Sequence, residues 1–146
     1  MKKKILKLNN RGMTLIEIMV VITILGLITA IVTVNVMDRL EKARLDTAKT
    51  QIKSLEQALE QYRLDNGSYP STEQGIQALV SAPTFGKVPK RYPSGGYLTG
   101  GKLPKDSWGE EFIYSSPGAQ GNPYEISSKG PDSQTGNEDD IKSWEE

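Results

Sequence analysis

Residues 13–37 form an almost unbroken apolar run in which Glu17 is the only charge. As an α-helix such a run is about 37 Å long, enough to cross a ~30 Å hydrocarbon core with tilt to spare. Beyond it the apolar positions thin out but do not stop. Leu40, Ala43, Ala48, Ile52, Leu55, Leu59 and Tyr62 recur mostly at spacings of three and four, the stripe of an amphipathic helix. No proline or glycine interrupts residues 27–66. The pattern predicts one helix from about Met13 to about Asp65, roughly 80 Å long. Its first half is apolar all round and its second half on one face only. Asn66 and Gly67 tolerate the left-handed backbone of a helix stop.

After the stop the elements shorten. Ser71-Thr72-Glu73-Gln74 fits a capping box, with Ser71 as the cap and Gln74 reaching back, and predicts a short helix over about 72–80. Residues 81–108 are rich in glycine and proline and read as structured loop. Residues 111–115 and 123–127 are strand candidates, with 116–122 as the turn between them. Large aliphatic residues are few in this part, so it must pack largely onto the helix stripe. The expected fold is α+β: a long N-terminal helix carrying a small C-terminal head with short antiparallel strands.

Composition narrows the chemistry. The chain has 146 residues and no cysteine or histidine. Disulfide frameworks, thiol nucleophiles, Cys/His zinc sites and triads with an imidazole base are excluded. Net charge is zero, but five of the 18 basic residues (Lys2, Lys3, Lys4, Lys7 and Arg11) precede residue 12. Without them 13 basic residues face 18 acidic ones, a poor balance for binding nucleic acid. Those five basic residues all stand before the apolar run, whereas Arg39 and Lys42 just beyond it are balanced by Asp38 and Glu41, which orients the N-terminus to the cytoplasm and the head outside.

Glu17 is the position that needs explaining. A charge at the middle of a span costs about 2.5–3.5 kcal/mol on insertion scales, and less near an interface. Either it is a tolerated interfacial carboxylate, or it awaits a cation from another chain. If the chain were cut after Gly12, the new α-amine of Met13 would lie close to the depth of Glu17. In a staggered bundle of identical helices the amine of one subunit could meet the glutamate of the next. Such a pair fixes register more than it adds stability.

The basic leader, Gly12 and the run MTLIEIMVVITILG resemble the class III signal of type IV prepilins and pseudopilins. The resemblance implies cleavage after Gly12 by a membrane-embedded prepilin peptidase, methylation of the new N-terminus at Met13, and a docking role for Glu17. The chain departs from that pattern at Met13, where phenylalanine is usual. It also lacks the proline that many relatives carry in the distal span, here residues 30–35. Five further blocks resemble the major pseudopilin, or G subunit, family of type II secretion systems: LDNGSYPSTEQGIQALVSAP, YPSGGYL, LPKDSWG, SSPGAQG and SKGPDSQTGNEDDIKSW. Relatives more often have proline where Ser107 stands.

The last block has only oxygen donors: Asp132, Glu138, Asp139 and Asp140, with Gly130 and Gly136 for turning. Read alone, it is a solvated acidic turn or a site for a hard cation such as calcium. The resemblance implies calcium, Ca2+, held by Asp132, Asp139 and Asp140 with backbone carbonyls of Lys129 and Asn137, and leaves Glu138 unassigned. Trp108, Tyr97 and Tyr114 read as core residues.

The resemblance thus implies three segments: a removed leader (1–12), a membrane-spanning and filament-core helix (13–37) and a periplasmic pseudopilin domain (38–146). It implies a non-enzymatic inner-membrane subunit that polymerises into a periplasmic pseudopilus and drives folded exoproteins through the outer membrane. Its partners would be further copies of itself, minor pseudopilins, the prepilin peptidase, an inner-membrane platform with its ATPase, and the secreted proteins. A type IV pilin for adhesion or motility is the alternative, opposed by the absence of cysteine. A single-pass anchor for an enzyme or binding domain is opposed by Gly12 and Glu17.

Overall fold

The computed structural model describes residues 12–119 and 121–145, with the side chains of residues 33–35 left aside. Of the expected leader, Lys2, Lys3, Lys4, Lys7 and Arg11 lie outside the described residues. In chain order the elements are α1 (Leu15–Asn66), a single 3₁₀ turn (Ile76–Leu79), β1 (Ile113–Ser115), β2 (Glu125–Ser128) and β3 (Ile141–Lys142). The chain divides into two compact units, Met1–Leu40 and Glu41–Glu146, with α1 belonging to both.

In the first unit every described side chain of the helix is exposed, Ile22 and Ile31 among them. The described residues of one chain therefore offer no cover for this apolar surface, a surface suited to lipid or to other helices. Thr23 and Thr29 donate their hydroxyls to the carbonyls of Met19 and Leu25, both at 2.7 Å. That satisfies the only polar groups of those side chains within the helix itself.

The second unit is built on the predicted stripe. Ala48, Leu55 and Leu59 are fully buried, and Ile52 and Tyr62 nearly so. Against them pack Leu79, Phe112, Tyr114, Ile126 and Ile141. Each fully buried large apolar side chain contributes about 1.5–3 kcal/mol. Tyr97, Trp108 and Leu103 pack on the margin of this core. The hydroxyl of Tyr114 donates to the carbonyl of Pro70 at 2.8 Å, and burial pushes its pKa up to about 12, so it stays a donor at neutral pH.

Helix α1 stops where expected, with Gly67 N–H bonding the carbonyl of Arg63. The predicted helix over 72–80 is corrected. Ser71 N–H reaches Gln74 Oε1 at 3.1 Å and Gln74 N–H reaches Ser71 Oγ at 3.3 Å, so the capping box forms. The box leads into a turn and the four-residue 3₁₀ segment instead of an α-helix, because Gly75 takes φ 63°, outside helical space. The two expected strands are present but shifted, and a third, β3, joins them without any expectation from the sequence. The sheet order is β1-β2-β3, antiparallel throughout, with Tyr114 opposite Ile126 and Ser128 opposite Ile141.

Two long-range hydrogen bonds fasten the loop before β1 to α1. Ser107 Oγ donates to the Arg44 carbonyl at 2.7 Å, and Gln51 Nε2 to the Lys105 carbonyl at 2.9 Å. A proline at position 107 could not make the first of these.

Candidate functional sites

The first site is the start of α1. Gly12 and Met13 precede the helix and are exposed. Thr14 N–H donates to Glu17 Oε2 at 2.8 Å, Thr14 Oγ1 donates to the same oxygen at 3.0 Å, and Glu17 N–H donates to Thr14 Oγ1 at 3.3 Å. Thr14-Leu15-Ile16-Glu17 is therefore a capping box. Sequence reasoning misses it by weighing the carboxylate as a charge that needs a cation, not as an acceptor for the free N–H groups of the first turn. In a single chain Glu17 thus has neutral donors, which lowers the cost of placing it beside an apolar run. It still has its negative charge, and both Thr14 bonds fall on Oε2 rather than Oε1. The carboxylate can therefore receive a cation without first losing its cap.

The second site is the connection 129–140. It joins β2 to β3, so the two strands hold both of its ends. Ser143 reinforces this: its N–H donates to the Ile126 carbonyl at 2.9 Å and its Oγ accepts from Ile126 N–H at 3.1 Å. Within the loop Asp132 accepts from Gln134 N–H at 2.9 Å and from Asn137 Nδ2 at 2.6 Å. Asp140 Oδ2 accepts from Gly136 N–H at 2.7 Å. Two oxygens, Asn137 Oδ1 and Asp140 Oδ1, are buried without a hydrogen-bond partner.

Of the sequence-predicted ligands, Asp132 and Asp140 are thus both bonded to backbone N–H groups of the same loop, and Asp132 also to the Asn137 side chain. Asp139 is exposed, and the side chain of Lys129 pairs with Glu110 at 3.3 Å. Among the described residues no three acidic side chains stand together as a ready metal cage. Asn137, expected to offer its backbone, also holds a buried, unpartnered side-chain oxygen.

The base of the loop rests on a residue to which the sequence assigns no role. Asp106 is 6 % exposed. Its Oδ1 accepts from the N–H groups of Trp108 and Glu110 at 3.0 and 2.8 Å, and its Oδ2 from Ser128 Oγ at 2.6 Å. Ser128 Oγ in turn accepts from Gly130 N–H at 3.2 Å. Gly130 has φ 67°, and a Cβ there would stand 2.2 Å from the Asp139 carbonyl oxygen. The loop closes only because that atom is absent. Gly130→Ala is expected to cost at least about 1–2 kcal/mol from the left-handed backbone alone. It should open the loop to protease, and limited proteolysis of the full chain in detergent checks this; unchanged cleavage would show that the approach of Asp139 is not required.

Known proteins share both regions. A family model described as Type II secretion system (T2SS), protein G matches residues 35–144, and one described as Prokaryotic N-terminal methylation motif matches residues 7–33. The chain is 49% identical over 134 residues to the type II secretion system core protein G of Pectobacterium carotovorum subsp. carotovorum, covering 92% of this chain and 84% of that one. It is 47% identical over 134 residues to the core protein G of Klebsiella pneumoniae, covering 92% and 94%. The major pseudopilin from the type 2 secretion system of enterohaemorrhagic Escherichia coli, a crystal structure, superposes with a TM-score of 0.66 at 41% identity, covering 75% of this chain and 94% of that chain. These matches favour the protein G reading over a type IV pilin.

Proposed function

Because the chain belongs to the type II secretion system protein G family, we propose that it is the major pseudopilin of its secretion system: a membrane-held subunit that polymerises, with no catalytic role of its own. The observation that carries this is the presence on one chain of the methylation motif over 7–33 and the protein G match over 35–144. The exposed apolar helix of the first unit supports it, since such a surface needs lipid before assembly and like helices after it. Processing by a prepilin peptidase after Gly12 leaves the amine of Met13 near Glu17, and the amine of one copy docks on the glutamate of the next. The head faces the periplasm. A platform with its ATPase drives growth, minor pseudopilins join the filament, and its extension moves folded exoproteins outward.

The test is intact mass with N-terminal sequencing of the protein from membranes of a peptidase-positive strain. A chain that starts at Met13 and is one methyl group heavier than the unmodified one is the expected result. A chain that retains residues 1–12 would overturn the processing and with it the docking pair.

Calcium in the loop 129–140 is part of the same proposal. Its support is the all-oxygen donor set and the two buried oxygens left without partners, Asn137 Oδ1 and Asp140 Oδ1, which a hard cation would satisfy. Asp132, Asp139 and Asp140 would hold the ion with oxygens of Lys129 and Asn137. The ion would order a loop that has neither disulfide nor apolar core. A ligand at 100 times its Kd stabilises by about 2.7 kcal/mol. Calcium is therefore expected to raise the melting temperature of the purified chain, and Asp132→Ala and Asp140→Ala to abolish that rise. An unchanged calcium response in both variants would sink the site.

A further inference from the structure

Charge is sorted along the head in a way that neither site uses. Between Glu73 and Asp106 there are five basic residues and no acidic one. From Asp106 onward there are ten acidic residues and two basic ones. The fold places these stretches at different levels of α1. Lys87 Nζ reaches Ser68 Oγ at 3.0 Å, and Val88 and Lys90 line a cleft with Tyr62 and Asn66, at the C-terminal end of the helix. Pro131, Glu138 and Asp139 line a groove of about 420 Å³ with Glu41, Leu45 and Asp46, near the start of the head. About 20 helical residues separate the two levels, a length of about 30 Å at 1.5 Å per residue.

The basic end is also apolar at its tip. Phe85 and Val88 are 52% and 53% exposed, flanked by the exposed Lys87, Lys90 and Arg91. The groove at the other end has the complementary character. Six carboxylates and three lysines line it, with Leu45 and Ile141 among its apolar members. One of the lysines, Lys142, is already paired with Glu145 at 2.9 Å. Calcium on the loop would offset the charge of Asp139 and Asp140 but not that of Glu41, Asp46 and Glu138.

We propose that the basic loop 85–91 of one copy docks in the acidic groove of a second copy of this chain, with Lys90 and Arg91 against Glu138, Glu41 and Asp46, and Val88 on the groove floor. The proposal rests on the chain being a filament subunit. A contact between two different surfaces of identical subunits is head-to-tail, and such contacts propagate without closing. The two surfaces lie about 30 Å apart along the helix, so the two copies joined by this contact are staggered by about that length. Charge complementarity sets register and disfavours the reversed arrangement, in which like-charged ends would meet.

The chain has no cysteine, so introduced ones report cleanly. Val88→Cys and Glu138→Cys are made separately and together in the full chain, assembled in membranes and treated with a short bismaleimide. The double variant is expected to give a ladder of cross-linked multimers and a mixture of the two single variants to give dimers. Lys90→Glu with Arg91→Glu, in a Val88→Cys background, should lower dimer yield with the Glu138→Cys chain about tenfold, within the range of close interfacial charge pairs. For rescue, filament formation by Lys90→Glu, reduced on its own, should recover when Glu138→Lys is added to the same chain. Filaments that form without any cross-link, or charge reversals without effect on both readouts, overturn the contact while leaving the filament reading intact. Absence of filaments from the unsubstituted chain overturns the filament reading and this contact with it.

Discussion

Glu17→Ala and Glu17→Gln should both insert normally in the membrane and fail to form filaments. The pair separates two physical roles of one side chain. Glutamine retains an acceptor at the position from which Glu17 takes the N–H and hydroxyl of Thr14 at 2.8 and 3.0 Å, and it is an accepted member of a capping box. It lacks the negative charge that a neighbouring α-amine would meet. Alanine lacks both. Loss of the cap alone costs about 0.5–2 kcal/mol of local helix stability. Such a loss frays one turn and leaves the rest of a 52-residue helix in place. Loss of the charge removes the element that selects register between helices whose other contacts are interchangeable apolar side chains. Electron microscopy of sheared filaments, with membrane fractionation as the control for insertion, reads the outcome. Wild-type filaments from Glu17→Gln would reduce the residue to a helix cap and leave the Met13 amine without a partner.

The second large effect is expected far from the membrane. Asp106→Ala removes the acceptor of three donors inside the head: the N–H groups of Trp108 and Glu110 and the hydroxyl of Ser128. An unsatisfied buried donor costs about 1–3 kcal/mol, so with one donor finding water the two others should cost about 2–6 kcal/mol. For a unit of this size even the lower end is a fall of roughly 8–16 °C in melting temperature. Ser128→Ala should cost less. It removes the single bond to Asp106 and the acceptor of Gly130 N–H at 3.2 Å, but leaves the Trp108 and Glu110 bonds in place. Thermal unfolding of the detergent-solubilised full chain tests the order. Equal effects for the two substitutions would mean that Asp106 matters only through Ser128. A negligible effect of Asp106→Ala would mean that the loop 105–110 holds itself on Ser107 and Gln51 alone.

Both predictions bear on assembly through one chain of contacts. Asp106 fixes Ser128 at the end of β2, Ser128 fixes Gly130, and Gly130 admits the Asp139 carbonyl that closes the loop 129–140. The same loop carries Glu138, a wall of the groove proposed to receive the next copy. Destabilising Asp106 should therefore weaken the calcium response and the inter-subunit cross-link together, although neither site contains that residue.

By itself the sequence determined the features that arise from neighbours along the chain. The apolar run of residues 13–37, the stripe from Ala48 to Tyr62 and the stop at Asn66-Gly67 come from helical periodicity and backbone preference, and α1 spans Leu15–Asn66 accordingly. The Ser71–Gln74 capping box is local in the same sense. So is the Thr14–Glu17 box, legible from its spacing although its carboxylate reads first as a stranded charge. The tertiary structure decided what depends on residues far apart. Strand β3 has two residues and no pattern of its own; it exists because β2 supplies its hydrogen bonds. Ser107 meets the Arg44 carbonyl across 63 positions, Gln51 meets Lys105 across 54, and Asp106 meets Ser128 across 22. No local preference encodes such pairs. They form because burying the stripe of α1 brings these loops against it, within hydrogen-bonding reach of groups far away in sequence, and the buried Asp106–Ser128 pair replaces the water that both lose.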